Sequence, residues 1–246
     1  MVNRSFFYGE GLFETILYRG RTTKLLRHYR RLSESAKYFH MPCPDFETFC
    51  VKIEEKTKGR KDLYVKVCLL SYGKPRYYEM PQKTELKVFV YRYLPKLDSV
   101  RVCVSPFLRH SSDPIARHKT LNYLFNIMVK RQAMQQGYYD GLILNETGHI
   151  TECSSANLLI VKKGTIYTPH RNSGLLFGTT LQSLMEKVKV EETQLTLKDL
   201  FDADHIFLAN SLIGALPVSK VEDTIFKIDQ ELTKYLQEVL QEENTV

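Results

Sequence analysis

The stretch GLILNETGHITECSSANLLIVKKGTIYT, residues Gly141–Thr168, decides the fold of this chain. Its apolar residues form four short runs, which are separated by turn-like links such as Glu146-Thr147-Gly148 and Lys162-Lys163-Gly164. Short strand patterns joined by such links predict strands that pair as antiparallel neighbours. The stretch therefore predicts a mixed α and β chain rather than a doubly wound parallel sheet, and the sequence has neither a GxGxxG motif nor a P-loop.

Helical patterns lie on both sides of this stretch. The clearest covers Thr120–Gly137, where Leu121, Leu124 and Met128 share one stripe and Gly137 fits a helix C-terminus. An amphipathic pattern over Arg27–Phe39 stops before a proline-bearing segment. The remaining predictions are helices at Phe46–Lys58, Leu181–Val188 and Ile228–Gln241, and strands at Leu12–Tyr18, Asp62–Tyr72, Glu85–Tyr93, Val100–Ser105, Asp204–Ala209 and Leu212–Val218.

The polar stretch Leu94–Ser99, which contains Pro95, predicts a domain boundary. A length of 246 residues allows one large domain or two smaller ones. We expect a small N-terminal α/β domain at residues 1–95 and a larger C-terminal domain at residues 96–246.

The composition excludes several classes of protein. With 43% hydrophobic and 26% charged residues and no apolar run long enough to span a bilayer, the chain is expected to be soluble, cytoplasmic and free of membrane segments. Five scattered cysteines without a CxxC pair predict free thiols rather than disulfides or a metal site. The net charge of +7 admits nucleic acid or small anions as ligands. Because no nucleic-acid-binding motif is present, small anionic molecules are the better expectation.

Lys119 and Glu152 are the first candidates for chemistry. Lys119 follows a loop that contains Pro114 and opens the helix predicted at Thr120–Gly137. The helix dipole there disfavours an ammonium ion, and a neutral amine can form a Schiff base or act as a base. Glu152 ends a predicted strand beside small residues, so that it can face a cavity and pair with a buried base. The alternative for both residues is an ordinary position on the solvated surface.

A possible anion site lies elsewhere in the sequence. Gly178-Thr179-Thr180 opens a predicted helix, where backbone N–H groups, two hydroxyls and the helix dipole can bind a phosphate. The alternative is that these threonines only cap the helix. Ser211 follows an apolar strand pattern and offers another hydroxyl, and Arg31 is one of several arginines on its helix. Together these residues offer a possible phosphate site, an amine and a carboxylate.

Several segments, taken together and in order, resemble the class IV, fold type IV, pyridoxal-phosphate enzymes. This family comprises D-amino-acid aminotransferases, branched-chain aminotransferases and aminodeoxychorismate lyases. The resemblance covers nearly the whole chain and implies a two-domain fold like that of D-amino-acid aminotransferase, with the cofactor between the domains. The matching segments are Phe7–Glu14, His28–Leu32, Lys119–Leu124, Thr151–Leu158, Tyr167–Pro169, Gly178–Thr180 and Ala209–Val218.

The resemblance implies a role for each candidate in binding pyridoxal phosphate. Lys119 matches the catalytic lysine that binds the cofactor covalently. Glu152 matches the carboxylate that keeps the pyridine nitrogen protonated. Arg31 matches the arginine that clamps the phosphate, and Thr179 and Thr180 match the pair that donates to the same group.

Three further positions follow from the same resemblance. Ser211 falls where the family has a hydroxyl residue that serves the phosphate. Tyr123 falls near a tyrosine that contacts the cofactor's ring oxygen in branched-chain enzymes. Arg76 resembles an arginine that binds a substrate carboxylate in the D-amino-acid enzymes. The family usually has an arginine where this chain has Leu181, which removes one supporting ion pair from the phosphate site.

The resemblance also implies an activity. Asn210-Ser211-Leu212, followed by Gly214 and Pro217-Val218, is most similar to the lyases. We therefore expect a lyase that converts 4-amino-4-deoxychorismate to p-aminobenzoate and pyruvate in folate biosynthesis. The alternatives are an aminotransferase acting on D-amino acids or branched-chain amino acids with 2-oxoglutarate, and a binding module without activity. The resemblance further implies a homodimer, because family members complete each active site with a loop from the partner.

Overall fold

The computed structural model describes residues 1–94, 97–241 and Thr245. These residues form two compact units. The first comprises residues 1–94, 118–123 and Thr245, and the second comprises residues 97–117 and 124–241. The predicted boundary between residues 95 and 96 lies outside the described residues. The short segment 118–123 belongs with the N-terminal residues, although the chain on either side of it belongs to the second unit.

The first unit is built on an antiparallel sheet. Its strands are β1 (Val2–Asn3), β2 (Gly11–Tyr18), β3 (Leu63–Gly73) and β4 (Lys83–Arg92), and its helices are α1 (Arg4–Tyr8), α2 (Thr23–Tyr38) and α3 (Phe46–Thr57). The long strand β3 pairs with both β2 and β4, and its last two residues pair with β1.

One face of this sheet packs on the helices. Because side chains alternate along a strand, every second residue of β2 and β3 points to the same side. Leu12, Ile16 and Val67 share a fully buried core with Leu32 of α2 and Phe49 of α3. Because this face is buried against the helices, the residues that alternate with it along β2 and β3 lie on the opposite face of the sheet.

The second unit is a larger mixed sheet with helices. Its strands are β5 (Val100–Val104), β6 (Asp140–Leu144), β7 (Ile150–Cys153), β8 (Asn157–Lys162), β9 (Thr165–Pro169), β10 (Val190–Thr193), β11 (His205–Asn210), β12 (Gly214–Val221) and β13 (Thr224–Ile225). Its helices are α4 (Leu124–Gln135), α5 (Thr179–Met185), α6 (Leu197–Phe201) and α7 (Gln230–Gln241). The strand order is β10-β9-β8-β11-β12-β5-β6-β7, and β13 pairs with β12. Alternate residues of β8 and β11 enter two separate apolar clusters, so that both faces of the sheet are covered.

The mixed α and β architecture predicted from Gly141–Thr168 is confirmed. β6 pairs with β7, and β8 with β9, as antiparallel neighbours. Parallel pairings join β5 to β6, β5 to β12 and β9 to β10, so the sheet is not purely antiparallel.

The helix predicted at Thr120–Gly137 is wrong at its start. The helix α4 begins at Leu124. Residues before it extend along β2 instead: Leu12 and Thr120 form an isolated antiparallel bridge, and the Leu121 N–H donates to the Gly11 carbonyl over 2.8 Å. Backbone groups that a helix would pair internally hydrogen-bond with β2 instead. Helical spacing of side chains reflects only local structure, so it gives no indication of such a long-range pairing.

No helix among the described residues is long and apolar enough to cross a bilayer. Within the same residues, no group of His, Cys, Asp and Glu side chains could hold a metal ion.

Candidate active site

Lys119 lies in the segment that pairs with β2. Its carbonyl accepts a hydrogen bond from the Phe13 N–H over 2.9 Å. Its Nζ atom lies 4.6 Å from the ring centroid of Phe13 and 5.5 Å from that of Tyr123. The rings of Phe13 and Tyr123 meet edge to face with their centroids 5.1 Å apart. Two aromatic rings, rather than the start of a helix, therefore lie beside this amine.

His118 fixes the same segment to α2. Its Nδ1 atom lies 2.9 Å from the Ser35 hydroxyl, and its ring stacks on Tyr38 with centroids 4.5 Å apart. The backbone of Lys119 is thus held by β2 through its own carbonyl and by α2 through the preceding side chain. Such supports keep a functional side chain in a single geometry.

Arg31 projects from α2 toward a buried carboxylate on β2. Its Nε and Nη2 atoms donate to the two oxygens of Glu14 over 2.8 and 2.6 Å. The Nδ1 atom of His28 lies 2.6 Å from Glu14 Oε2. Burial opposes the charge on Glu14, but Arg31 and His28 outweigh it and lower the pKa of Glu14 to about 2. An ionised Glu14 therefore orients Arg31, whose Nη1 atom makes no hydrogen bond to any residue in the described ranges.

Sequence reasoning missed the role of Glu14, although the signal was present. The side chains of Leu12, Ile16 and Tyr18 form the buried face of β2. Glu14 alternates with them along the strand, so its side chain points to the same face. A charged residue on the core side of an alternating strand requires buried partners. Two cationic candidates, His28 and Arg31, lie on the helix that follows this strand.

In the second unit, Glu152 of β7 is buried and ion-paired. The Arg109 Nη1 atom donates to Glu152 Oε1 over 2.5 Å, and the Leu176 N–H donates to the same oxygen over 3.2 Å. Asn157 Nδ2 donates to Glu152 Oε2 over 3.3 Å. The alternative of a surface glutamate is therefore wrong, because the Glu152 side chain is only 8% exposed. Arg109 was missed because nothing in its loop distinguishes it from a solvated arginine.

Asn157 connects Glu152 to the start of α5. Its Oδ1 atom accepts a hydrogen bond from the Gly178 N–H over 3.0 Å. A Cβ atom at residue 178 would overlap Asn157 Oδ1, so only glycine permits this close approach. Thr179 and Thr180, the first two residues of α5, are both buried. The backbone N–H groups of a helix start and two hydroxyls therefore lie next to the residue that holds Glu152.

Ser211 lies in the turn between β11 and β12. The Asn210 Oδ1 atom accepts from the N–H groups of Leu212 and Ile213, each over 3.0 Å, which shapes that turn. Asn210 Nδ2 donates to the Ser155 carbonyl over 3.0 Å. Ser211 is thus tied, through its neighbour, to the loop that follows Glu152.

Arg76 stands apart from these groups. It is exposed in the loop after β3, and its Nη1 atom lies 3.1 Å from the Tyr78 hydroxyl. The loop is anchored by Arg4, whose guanidinium donates to the carbonyls of Lys74, Arg76 and Tyr77 over 2.9–3.0 Å. Arg4 is completely buried and also pairs with Glu10 at 2.5 Å. Sequence reasoning gave Arg4 no role, because its partners are carbonyls of a distant loop.

Each unit thus contains some of the predicted site residues. The first unit brings Lys119 to Tyr123 and supports Arg31 through Glu14. The second unit joins Glu152 through Asn157 to the start of α5. The first unit therefore offers an amine and an oriented guanidinium, and the second offers a carboxylate near a helix start that carries two hydroxyls. A guanidinium and a helix start suit a phosphate, an amine suits an aldehyde, and a carboxylate suits a basic ring nitrogen.

Comparison with known proteins finds similarity over most of the chain. The family model described as amino-transferase class IV matches residues 11–221. A crystal structure from Legionella pneumophila, provisionally assigned as a 4-amino-4-deoxychorismate lyase, superposes with a TM-score of 0.88 at 31% identity, over 97% of this chain and 92% of that chain. The aminodeoxychorismate lyase of Vibrio harveyi is 28% identical over 96% of this chain and 93% of its own length. The D-alanine aminotransferase of Listeria monocytogenes is 27% identical over 89% of this chain and 81% of its own length.

Proposed function

Because the chain belongs to the class IV aminotransferase family, whose members depend on pyridoxal phosphate, we propose that it is a cytoplasmic lyase that converts 4-amino-4-deoxychorismate to p-aminobenzoate and pyruvate. The observation that carries this choice is the similarity to the Legionella pneumophila protein, which reaches 31% identity and a TM-score of 0.88. The alternative is an aminotransferase for D-amino acids or branched-chain amino acids, and the similarity to D-alanine aminotransferase supports it.

In this proposal six residues bind the cofactor directly, through its amine-reactive carbon, its ring nitrogen and its phosphate. Lys119 supplies the amine for covalent attachment. Glu152 supplies the carboxylate that faces the ring nitrogen, and Arg109, the Leu176 N–H and Asn157 hold this carboxylate in place. The phosphate is bound by the residues at the start of α5 and by the arginine that Glu14 orients, with a further hydroxyl from the turn after β11. These phosphate residues are Arg31, Thr179, Thr180 and Ser211.

Tyr123 and Arg76 complete the proposed assignment. Tyr123 contacts the cofactor's ring oxygen, and its position beside Lys119 supports this role. Arg76 binds a carboxylate of the substrate.

The bound cofactor supplies an electron sink. Lys119 Nζ carries the proton in our proposal: it removes the proton from the ring carbon that bears the amino group, and it returns a proton to the enolpyruvyl methylene carbon. The ether bond between the ring and the enolpyruvyl oxygen breaks, pyruvate leaves, and the ring becomes aromatic. The Phe13 and Tyr123 rings restrict where the Lys119 amine can move.

We further propose that the protein is a homodimer. Large apolar side chains are exposed on α1 and on the loop that Arg4 anchors: Phe6, Phe7, Tyr77, Tyr78 and Met80 are each at least 60% exposed. Clustered exposed aromatic residues of this kind are typical of protein interfaces. Sedimentation that finds a stable, fully active monomer would refute this part of the proposal.

A comparison of substrates tests the activity. The purified holoenzyme is supplied with 4-amino-4-deoxychorismate in one arm and with D-alanine or leucine plus 2-oxoglutarate in the others, and kcat/KM is determined for each. We expect p-aminobenzoate formation to be the most efficient reaction. Faster glutamate formation would reject the lyase in favour of the aminotransferase. The Lys119→Ala variant serves as the blank in every arm.

A further inference from the structure

The C-terminal helix α7 packs against both elements of the second unit that carry proposed phosphate ligands. Leu236 of α7 is buried in one apolar cluster with Leu181 of α5. The same cluster contains Ala209 at the end of β11 and Ala215 at the start of β12, which lie on either side of the β11–β12 turn, residues 211–213. One helix therefore supports the element that begins with Thr179 and Thr180 and the turn that contains Ser211.

A polar side chain of α7 also reaches this turn. Gln237 Nε2 donates to the Ile213 carbonyl over 3.1 Å and to the Ala215 carbonyl. Between these two carbonyls lies Gly214, whose φ of +66° is in the left-handed region. A Cβ atom at residue 214 would overlap Gln237 Oε1, so glycine permits both this backbone conformation and the close approach of the glutamine.

The hydrogen bonds of Gln237 complete the support of the turn. Asn210 shapes the turn from within and ties it to Ser155 in the loop after β7. Gln237 holds its other end, at Ile213, from α7. Ser211 lies between these two points, so the direction of its side chain depends on both of them. Such supporting contacts decide whether a ligand-binding group is held in its productive geometry.

We propose that Gln237 is a positioning residue for the phosphate of the cofactor. It acts through the β11–β12 turn, by holding Ser211 where its hydroxyl can donate to the phosphate. This inference rests on the proposed function only in taking Ser211 as a phosphate ligand, and it holds for the lyase and the aminotransferase alike. It makes the affinity for the phosphate depend on a helix that lies outside the candidate site in sequence.

Two cofactor forms that differ only in the phosphate test this role. The apoprotein is titrated with pyridoxal phosphate and with pyridoxal, which has an alcohol in place of the phosphate ester, and Kd is measured by fluorescence quenching. Gln237→Met keeps the length of the side chain but removes the donor. We expect it to raise Kd for pyridoxal phosphate about fivefold or more, which corresponds to a lost hydrogen bond, and to leave Kd for pyridoxal within about twofold of the wild type.

Two further variants complete the design. Gln230→Met is the matched control, because Gln230 is an exposed glutamine at the start of the same helix, and both its Kd values should stay within about twofold of the wild type. In a Ser211→Ala background, Gln237→Met should add little to the loss of affinity, since the group that it positions is gone.

The outcomes separate this inference from the proposed function. An unchanged Kd for pyridoxal phosphate in Gln237→Met would overturn it, and so would an equal loss of affinity for both ligands, because that pattern marks a merely structural residue. Equal wild-type affinity for the two ligands, or additive effects of Gln237→Met and Ser211→Ala, would overturn it too. A wild type that prefers pyridoxal phosphate but forms neither p-aminobenzoate nor glutamate would reject the proposed function alone.

A second substitution decides if Gln237→Met does not fold. Gln237→Glu keeps the size and polarity of the side chain, but its carboxylate cannot donate to the two carbonyls of the turn. We expect the same selective rise of Kd for pyridoxal phosphate. Wild-type affinity for pyridoxal phosphate in this variant would overturn the role of Gln237.

Discussion

The guanidinium of Arg109 lies 2.5 Å from the carboxylate of Glu152, and both side chains are more than nine-tenths buried. Removing one member of a buried ion pair leaves the other charge without compensation, which typically costs about 3–5 kcal/mol. We expect Arg109→Met to lower the free energy of unfolding by that amount, as measured by urea denaturation of the apoprotein. Arg171→Met is the control: Arg171 pairs with Glu192 but is 57% exposed, so its loss should cost less than about 1 kcal/mol. Equal effects of the two substitutions would contradict a special role for the buried pair.

Lys119 should carry the cofactor covalently. Replacing it with alanine removes the only nitrogen of that side chain, so we expect the visible absorbance band of the bound cofactor and its trapping by borohydride to disappear. Activity should fall by orders of magnitude, while the far-ultraviolet circular dichroism stays that of the wild type. Lys87→Met should keep the band. Near-normal turnover by Lys119→Ala would refute the assignment.

Glu14 should make stability depend on acid pH. Its pKa is lowered from 4.5 to about 2 in the folded protein, because Arg31 and His28 outweigh the effect of burial. A group whose pKa is lowered by folding stabilises the protein above its unfolded pKa, so this contribution is present above pH 4.5 and is lost as the pH falls toward 2. The shift corresponds to about 3 kcal/mol. We expect Glu14→Gln to flatten the decline of the unfolding free energy in that interval, whatever its effect at neutral pH; an unchanged slope would contradict this.

Gly178 and Asn157 should be coupled energetically. Gly178→Ala introduces a Cβ atom that overlaps Asn157 Oδ1, so we expect it to weaken cofactor binding and stability. In an Asn157→Ala background the overlap is gone, and the same substitution should cost much less. A double-mutant cycle on cofactor Kd, measured by fluorescence quenching, gives the coupling energy. Additive effects would show that the alanine acts through something other than this contact.

Arg4 should act through the loop that carries Arg76. Arg4→Met removes the donors to three loop carbonyls, so we expect a higher KM for the substrate with little change in the cofactor's absorbance band. Arg76→Ala should raise KM similarly, and the double variant should add little to either single change. If Arg4→Met instead lowers kcat with KM unchanged, the loop is not its point of action.

Local sequence patterns were sufficient for much of the fold. The strands at Gly141–Thr168 and the helix at Phe46–Thr57 could be predicted because alternating or helical spacing and turn residues lie within a few positions of each other. The start of α4 could not, because the Lys119 carbonyl and the Leu121 N–H hydrogen-bond with β2, which lies about a hundred residues earlier in the chain. A pairing between distant segments leaves no periodic signal in either of them.

By itself, the sequence determined which chemical groups the protein has available: an amine at Lys119, a carboxylate at Glu152 and a helix start at Gly178. Their order along the chain also determined the resemblance to the family. Only the tertiary structure decided what each of them contacts. Glu152 is paired with Arg109 from 43 residues away, and Lys119 shares the Phe13 ring with Lys66. The reason is physical: the strength of a charge or a hydrogen bond depends on burial and on the distance between atoms, and both are fixed only when strands and helices from separate parts of the chain pack together.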